Sequence, residues 1–205
     1  MYGGCLRFTR GDFSVAEVPS KSRRPRADAE RNRQRLLEAA KSVLARDGAS
    51  ASLEEIARTA GVGIGTLYRH FPKRDDLIEA VYHQAVSQLG EAAEQLSETH
   101  APADALREWL LLFIDYMSTK RLMAEALNSL DGGASRVYAG SGDIMRQALN
   151  GLVQRAEAAG EIRAVADPFD LLRAVAGIHY ISPESDWEPG ARAMVDIVIA
   201  GLRKA

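Results

Sequence analysis

Apolar residues recur every three or four positions along most of this chain, which is the period of an amphipathic helix. The stripes predict two short helices between residues 52 and 72, and longer ones near 28–47, 73–90, 102–120, 121–130, 142–159, 167–181 and 189–202. Residues 131–135, Asp-Gly-Gly-Ala-Ser, predict a loop. No stretch shows the two-residue alternation of a strand. The pattern therefore predicts an all-α fold of about nine helices.

The two short helices enclose a tight turn. Ser52 and Glu55 have the S-x-x-E spacing of a capping box, which marks a helix start. Gly61 falls where the chain must reverse, and a second helix follows it and ends before Pro72. A helix-turn-helix of this kind places its second helix in the major groove of DNA.

Three segments are expected. We expect residues 1–27 to form a disordered or extended basic arm, residues 28–75 a helix-turn-helix DNA-binding domain, and residues 76–205 a helical body. Within the arm, Pro25 favours an extended rather than a helical backbone over residues 21–26. Arg24 and Arg26 would then contact phosphates or enter a minor groove, although a solvated tail is an equally good interpretation.

The charge distribution supports a polyanion-binding front. The net charge of the 205 residues is only −2. Residues 20–83, however, carry 13 Lys and Arg against 9 Asp and Glu, whereas residues 84–205 carry 11 against 17. This distribution suits a protein in which the basic residues 20–83 bind nucleic acid and the acidic residues 84–205 do not.

Several function classes are disfavoured. The longest apolar run, residues 109–114, is far shorter than the roughly 20 residues of a membrane span, and a single cysteine, Cys5, favours the cytoplasm. The scattered histidines do not suggest a metal site. The glycines at 61, 63 and 65 lack the preceding strand and the lysine of a phosphate-binding loop, and no nucleophile–base set is apparent. We therefore expect neither an enzyme nor a cofactor.

The stretch that follows residue 55 strongly resembles the TetR family of bacterial transcriptional regulators. The matching residues are Ile56-Ala57, Ala60-Gly61-Val62, Gly65-Thr66-Leu67-Tyr68-Arg69-His70-Phe71-Pro72, the basic pair Lys73-Arg74, and Asp76-Leu77. The sequence Thr119-Lys-Arg and the Asp167-Pro-x-Asp-Leu-Leu helix start also resemble the SbtR-like C-terminal subgroup. The resemblance implies a homodimer that binds a pseudo-palindromic DNA operator and a small-molecule effector of unknown identity. It also implies that the body, residues 76–205, is the ligand-binding and dimerisation domain.

Residue chemistry and the resemblance together predict a set of DNA-binding residues. Thr66, Tyr68 and His70 match positions suited to phosphate contacts, and Lys73 and Arg74 supply positive charge. Ile64 and Gly65 offer an apolar contact and close backbone approach, and Arg69 is the best candidate for reading guanine. The set is Arg24, Arg26, Ser52, Ile64, Gly65, Thr66, Tyr68, Arg69, His70, Lys73 and Arg74.

Two further sets lie in the body. A mostly apolar effector pocket is predicted from Trp109, Phe113, Tyr116, Met117, Met123, Leu127, Tyr138, Met145 and Leu149, although each of these residues also suits an ordinary core. The dimer interface is predicted from Leu171, Leu172, Val175, Ile178, Met194, Val195, Val198 and Leu202. The resemblance therefore implies a ligand-responsive repressor. The alternative is a helical ligand-binding or protein-interaction module that has lost DNA binding.

Overall fold

The computed structural model describes residues 23–181 and 186–204, and these residues form helices with no strand. The ten α-helices are α1 Arg23–Asp47, α2 Leu53–Thr59, α3 Ile64–His70, α4 Arg74–Thr99, α5 Pro102–Leu122, α6 Ala124–Asn128, α7 Gly133–Tyr138, α8 Ser141–Ala158, α9 Phe169–Ile181 and α10 Glu188–Leu202. A 3-10 turn, Gly48–Ser50, follows α1. The all-α prediction is confirmed, with one helix more than expected over this part of the chain.

The basic run at residues 21–26 is not extended where the structure describes it. Helix α1 begins at Arg23, so Arg24 and Arg26 belong to the start of a helix, whereas residues 1–22 lie outside the described residues. Pro25 is compatible with this start because its missing N–H falls in the first turn, where a backbone donor has no intrahelical acceptor. The expected arm of residues 1–27 is therefore helical from residue 23.

The first three helices share one apolar core. The stripe of α1 includes Leu36 and Leu37, which are fully buried beside Ile56 of α2 and Leu67 of α3. The turn between α2 and α3 passes through Gly61 at φ +65°. A side chain there would be strained and would also meet the Arg35 guanidinium, which donates to the Gly61 carbonyl. The predicted turn glycine is therefore required by the backbone and by its neighbour.

Helix α4 connects this head to the rest of the chain. The backbone N–H of Lys73 donates to Oδ2 of Asp76 at 3.0 Å, which caps the start of α4. The prediction that α4 ends near Gly90 is wrong, because the helix continues to Thr99. Gly90 lies where α4 meets α8, and a Cβ at this position would lie 3.0 Å from Cγ2 of Ile144. The glycine permits a close helix crossing instead of ending the helix.

The segment predicted as a loop at residues 131–135 is partly helical. Gly132 and Gly133 have φ values of +82° and +70°, so the reversal is confined to these two glycines, and α7 begins at Gly133. The backbone N–H of Asp131 donates to Oδ2 of Asp75 at 3.2 Å. This contact joins the α6–α7 connection to the first turn of α4.

Helix α5 is the centre of the body and packs against α4, α8, α9 and α10. Its Trp109 is fully buried, and the indole Nε1–H donates to the carbonyl of Leu89 in α4 at 2.8 Å. The predicted N-terminal signal before α9 is also present, since Oδ1 of Asp167 accepts the backbone N–H of Phe169 at 2.9 Å. No helix in the described part of the chain has the length and apolar content needed to span a bilayer.

Candidate nucleic-acid interface

The start of α2 is fixed by Ser52. Its Oγ accepts the backbone N–H of Glu55 at 3.1 Å, which is the expected helix cap. The Glu55 carboxylate accepts from Nη2 of Arg46 at 2.6 Å and thereby ties α2 to the end of α1. Ser52 is exposed, and its oxygen already serves the cap. A phosphate at this position would share that hydroxyl with the helix start.

Helix α3 presents one side to the core and the other to solvent. Leu67 is fully buried and Phe71 is 3% exposed, so these two residues hold the helix against the head. Outside this contact, Ile64 is 37% exposed and Tyr68 is 47% exposed, one helical turn apart. Arg69 is also exposed. The outer face of α3 therefore combines an apolar, a phenolic and a cationic side chain.

Two glycines keep the leading edge of α3 bare. Gly63 precedes the helix with φ −71° and ψ 149°, and Gly65 is its second residue. A Cβ added to either residue would have no atom within 4 Å. Neither glycine has a positive φ, and helix propensity disfavours Gly65 by about 1 kcal/mol relative to alanine. Since the protomer gives no internal reason for these glycines, they leave the backbone accessible to a molecule that approaches from outside.

The remaining predicted contacts surround this face. Thr66 and His70 are half-buried, and Lys73 is exposed. The His70 ring lies 6.3 Å from the Phe71 ring, measured between centroids. Among the predicted residues of α3 and its C-terminal flank, Ile64, Gly65, Tyr68, Arg69 and Lys73 are therefore exposed, whereas Thr66 and His70 are half-buried.

Arg74 occupies a different position from the other cations. Its guanidinium donates to the carbonyl of Ala51 through Nη1, and to the carbonyl of Ala49 through Nη2 at 2.8 Å. Both carbonyls belong to the short connection between α1 and α2. Arg74 therefore joins the start of α4 to the entry of α2, a role that its predicted phosphate contact did not include. Sequence reasoning missed this role because the partners lie 23 and 25 residues away and are backbone atoms.

Arg58 was absent from the predicted set. It lies in the last turn of α2 with its side chain 78% exposed, and it pairs with Glu55 at 3.5 Å. Such a solvated pair contributes little to folding stability. The sequence pattern that could have identified Arg58 as an exposed cation of the helix-turn-helix is its position on the polar side of α2, opposite Ile56.

Comparisons with known proteins agree with this geometry. Residues 36–81 match the profile described as bacterial regulatory proteins of the tetR family, and residues 101–204 match the SbtR-like C-terminal domain of transcriptional regulators. The solved structure of a TetR transcriptional regulator from Streptomyces coelicolor is 41% identical with a TM-score of 0.76, over 84% of this chain and 99% of that one. The chain belongs to the TetR family of bacterial transcriptional regulators.

Other members of the TetR family are also similar. The solved TetR regulatory protein of Mycobacterium vanbaalenii is 31% identical with a TM-score of 0.72, over 88% of this chain and 99% of that one. The HTH-type transcriptional repressor LfrR of Mycolicibacterium smegmatis is 41% identical over 76 residues, which cover 37% of this chain and 40% of that repressor. The predicted family and the SbtR-like C-terminal subgroup are both confirmed.

The residues predicted to line an effector pocket form the centre of the body of this TetR-family chain. Eight of the nine are buried and Tyr138 is half-buried. The hydroxyls of Tyr82 and Tyr116 lie 2.9 Å apart, and burial raises the pKa of Tyr116. Lys120 Nζ lies 4.0 Å from the centroid of the Tyr138 ring, and burial lowers the pKa of Lys120. Of the predicted nine, Tyr116 borders a cavity of about 220 Å³.

The residues predicted for the dimer interface divide between two faces. Leu171, Leu172, Val175 and Val195 are buried inside the protomer. Ile178, Val198 and Leu202 are half-buried, and Met194 is 37% exposed. The apolar surface turned to solvent instead includes Ile197 at 66% and Ile181 at 83% exposure. Helices α9 and α10 are apolar on two sides. Most of the residues predicted from their apolar stripes lie on the side that faces the protomer core.

Proposed function

We propose that this protein is a ligand-responsive transcriptional repressor that binds a pseudo-palindromic operator as a homodimer. The observation that carries the proposal is the outer face of α3, where Ile64, Tyr68 and Arg69 stand exposed beside the bare backbone of Gly63 and Gly65. A helix held by a buried inner side and exposed along its outer side suits insertion into a major groove.

Phosphate contacts are proposed for the residues that border this face. Tyr68 has an exposed hydroxyl that no hydrogen bond engages within the described ranges. Half-buried Thr66 and His70 add further hydrogen-bonding side chains from α3, and Lys73 adds an exposed ammonium group. We include Arg24 and Arg26, at the start of α1, among the residues proposed to contact DNA phosphates. These groups fix the position of the protein on the duplex and carry no base sequence themselves.

Base reading is proposed for the leading turn of α3. Ile64 can contact a thymine methyl group, and Arg69 can donate to guanine. Gly65 contributes by allowing the helix to lie close to the base edges. Because only two side chains read bases here, DNA shape would supply part of the sequence preference.

The homodimer would form through the outer faces of α9 and α10. In α10 the exposed apolar positions Met194, Ile197 and Gly201 recur at helical spacing. Exposed Ile181 and half-buried Ile178 extend the surface on α9. Contiguous apolar surface of this kind marks an interaction site, and a two-fold axis pairs the same surface on both copies.

Regulation would pass through α4, which runs from the capped start at Lys73 into the body. A ligand that displaces α4 would change the distance between the two recognition helices. A coupling free energy of typically 1–3 kcal/mol between effector and operator is sufficient for such control. The SbtR-like body and the rigid connection through Arg74 support this route.

Replacing Tyr68 with phenylalanine should weaken operator binding by roughly 1–3 kcal/mol, since one hydrogen bond to a charged phosphate is lost. Fluorescence anisotropy with a labelled operator measures this change, and an unaltered melting temperature shows that the fold is intact. Equal operator affinities for the two proteins would contradict the phosphate contact.

Replacing Arg74 with methionine should lower the free energy of unfolding by roughly 1–3 kcal/mol, because the carbonyls of Ala49 and Ala51 lose their donors. Urea denaturation measures this loss. The matched control is Arg69→Met, which removes an exposed arginine of α3 and should leave stability unchanged.

The salt dependence of operator binding tests the proposed phosphate contact of Arg74 separately. If Arg74 contacts a phosphate directly, Arg74→Met should flatten the slope of log affinity against log salt by about 0.9, because one phosphate contact is lost. An unchanged slope together with unchanged stability would contradict both roles of Arg74.

A further inference from the structure

A cavity of about 220 Å³ lies where three helices meet, one from the head and two from the body. Helix α1 contributes Lys41, α4 contributes Ala85, Gln88, Leu89 and Ala92, and α5 contributes Leu112, Asp115, Tyr116 and Thr119. A molecule in this cavity would therefore touch the DNA-binding head and the body at the same time. Of the nine residues predicted to line an effector pocket, Tyr116 also borders this cavity.

The cavity walls are mainly apolar. Ala85, Leu89 and Ala92 form the α4 side, and Leu112, which is 39% exposed, forms part of the α5 side. An apolar ligand group of suitable size would remove these side chains from water, which favours binding through the hydrophobic effect. The walls therefore favour an aromatic or aliphatic group.

The polar side chains that line the cavity differ in their hydrogen-bond and ion-pair partners within the protomer. The Asp115 carboxylate accepts from Nη2 of Arg192, so its charge is balanced within the protomer. The Thr119 hydroxyl donates to the Asp115 carbonyl at 3.0 Å and keeps its oxygen as an acceptor. Lys41 is half-buried, and no carboxylate of residues 23–181 or 186–204 lies within ion-pair distance of its ammonium group. The cavity therefore carries one uncompensated positive charge.

We propose that this cavity binds a small organic acid, with the apolar group between α4 and α5 and the carboxylate paired with Lys41. A charge-assisted hydrogen bond would satisfy the ammonium group, while the stem of Lys41 covers part of the apolar surface. Such a ligand would join α1 to α4 and α5 directly. The inference rests on the proposed function only in treating this ligand as an effector, because binding itself requires no DNA.

Calorimetric titration of the full chain with 2-naphthoate, in the absence of DNA, tests the site. The acid should bind about tenfold more tightly than 2-naphthalenemethanol, its neutral counterpart. Lys41→Met should reduce affinity for the acid by about tenfold and leave affinity for the alcohol nearly unchanged. Ala92→Leu, which fills the cavity and retains Lys41, should weaken both ligands.

The matched control is Lys120→Met, since Lys120 is the other half-buried lysine near the body and lies over Tyr138 instead. This variant should bind 2-naphthoate as the unaltered protein does. Loss of binding in Lys120→Met, unchanged binding in Lys41→Met with a normal melting temperature, or no binding at millimolar acid would each overturn the proposal. Failure of operator binding alone would leave these titrations unaffected.

Discussion

Replacing Gly65 with leucine is expected to weaken operator binding by about 2–4 kcal/mol while making the protein more stable. The added side chain would stand on the outer face of α3, where a Cβ meets no protein atom, and would hold the helix away from the base edges. The expected loss equals one or two direct base contacts at roughly 1–3 kcal/mol each. Stability should rise by up to about 1 kcal/mol because glycine is a poor helix former.

Gly142 provides a matched control for this substitution. It is also the second residue of its helix, α8, and a Cβ at that position likewise meets nothing within 4 Å. Gly142→Leu should raise stability to a similar extent and leave operator affinity unchanged. Thermal unfolding and anisotropy titrations measure the two quantities. If Gly65→Leu bound the operator as well as the unaltered protein does, close approach at Gly65 would be refuted.

Replacing Ile197 with glutamate is expected to convert the dimer into monomers at micromolar concentration. Each of the two copies loses the burial of an isoleucine, worth about 1.5–3 kcal/mol, and the partner surface must then accommodate a carboxylate. The protomer should fold normally, since Ile197 is 66% exposed in it. Operator affinity should fall by at least about a hundredfold, because two linked recognition helices bind far more tightly than one.

Sedimentation velocity measures the oligomeric state of this variant. The matched control is Leu122→Glu, which places the same charge at an apolar residue that is 47% exposed at the end of α5. That protein should remain a dimer. A dimeric Ile197→Glu protein would exclude the outer face of α10 from the interface.

The helix-turn-helix could be predicted because its signals are local. Ser52 caps α2 through a residue three positions away, and Gly61 alone supplies the positive φ of the turn. The resemblance extended this prediction to the family, which the comparisons confirm. The pattern does not predict helix α7, because two consecutive glycines indicate a loop. In the structure Gly132 and Gly133 form only a turn, and α7 begins at Gly133.

Features that depend on distant partners could not be predicted. A glycine after an apolar stripe indicates a helix end, yet Gly90 lies inside α4, where the absence of a side chain leaves room for Ile144 of α8. Likewise, α10 carries apolar residues on two sides, and the sequence does not state which side a partner would cover. Val195 is fully buried in the protomer, whereas Ile197 is largely exposed. The packing of α10 against α5 and α9 distinguishes the buried residue from the exposed one.

The central claim, that the exposed face of α3 binds a specific operator, is tested most directly by a footprint on the DNA upstream of this protein's own gene. Two protected half-sites about one helical turn apart are expected, with an affinity that falls steeply as salt is raised. The same experiment with Gly65→Leu should lose the protection. A purified dimer with no salt-sensitive preference for any DNA would contradict the claim and favour a helical module without DNA-binding activity.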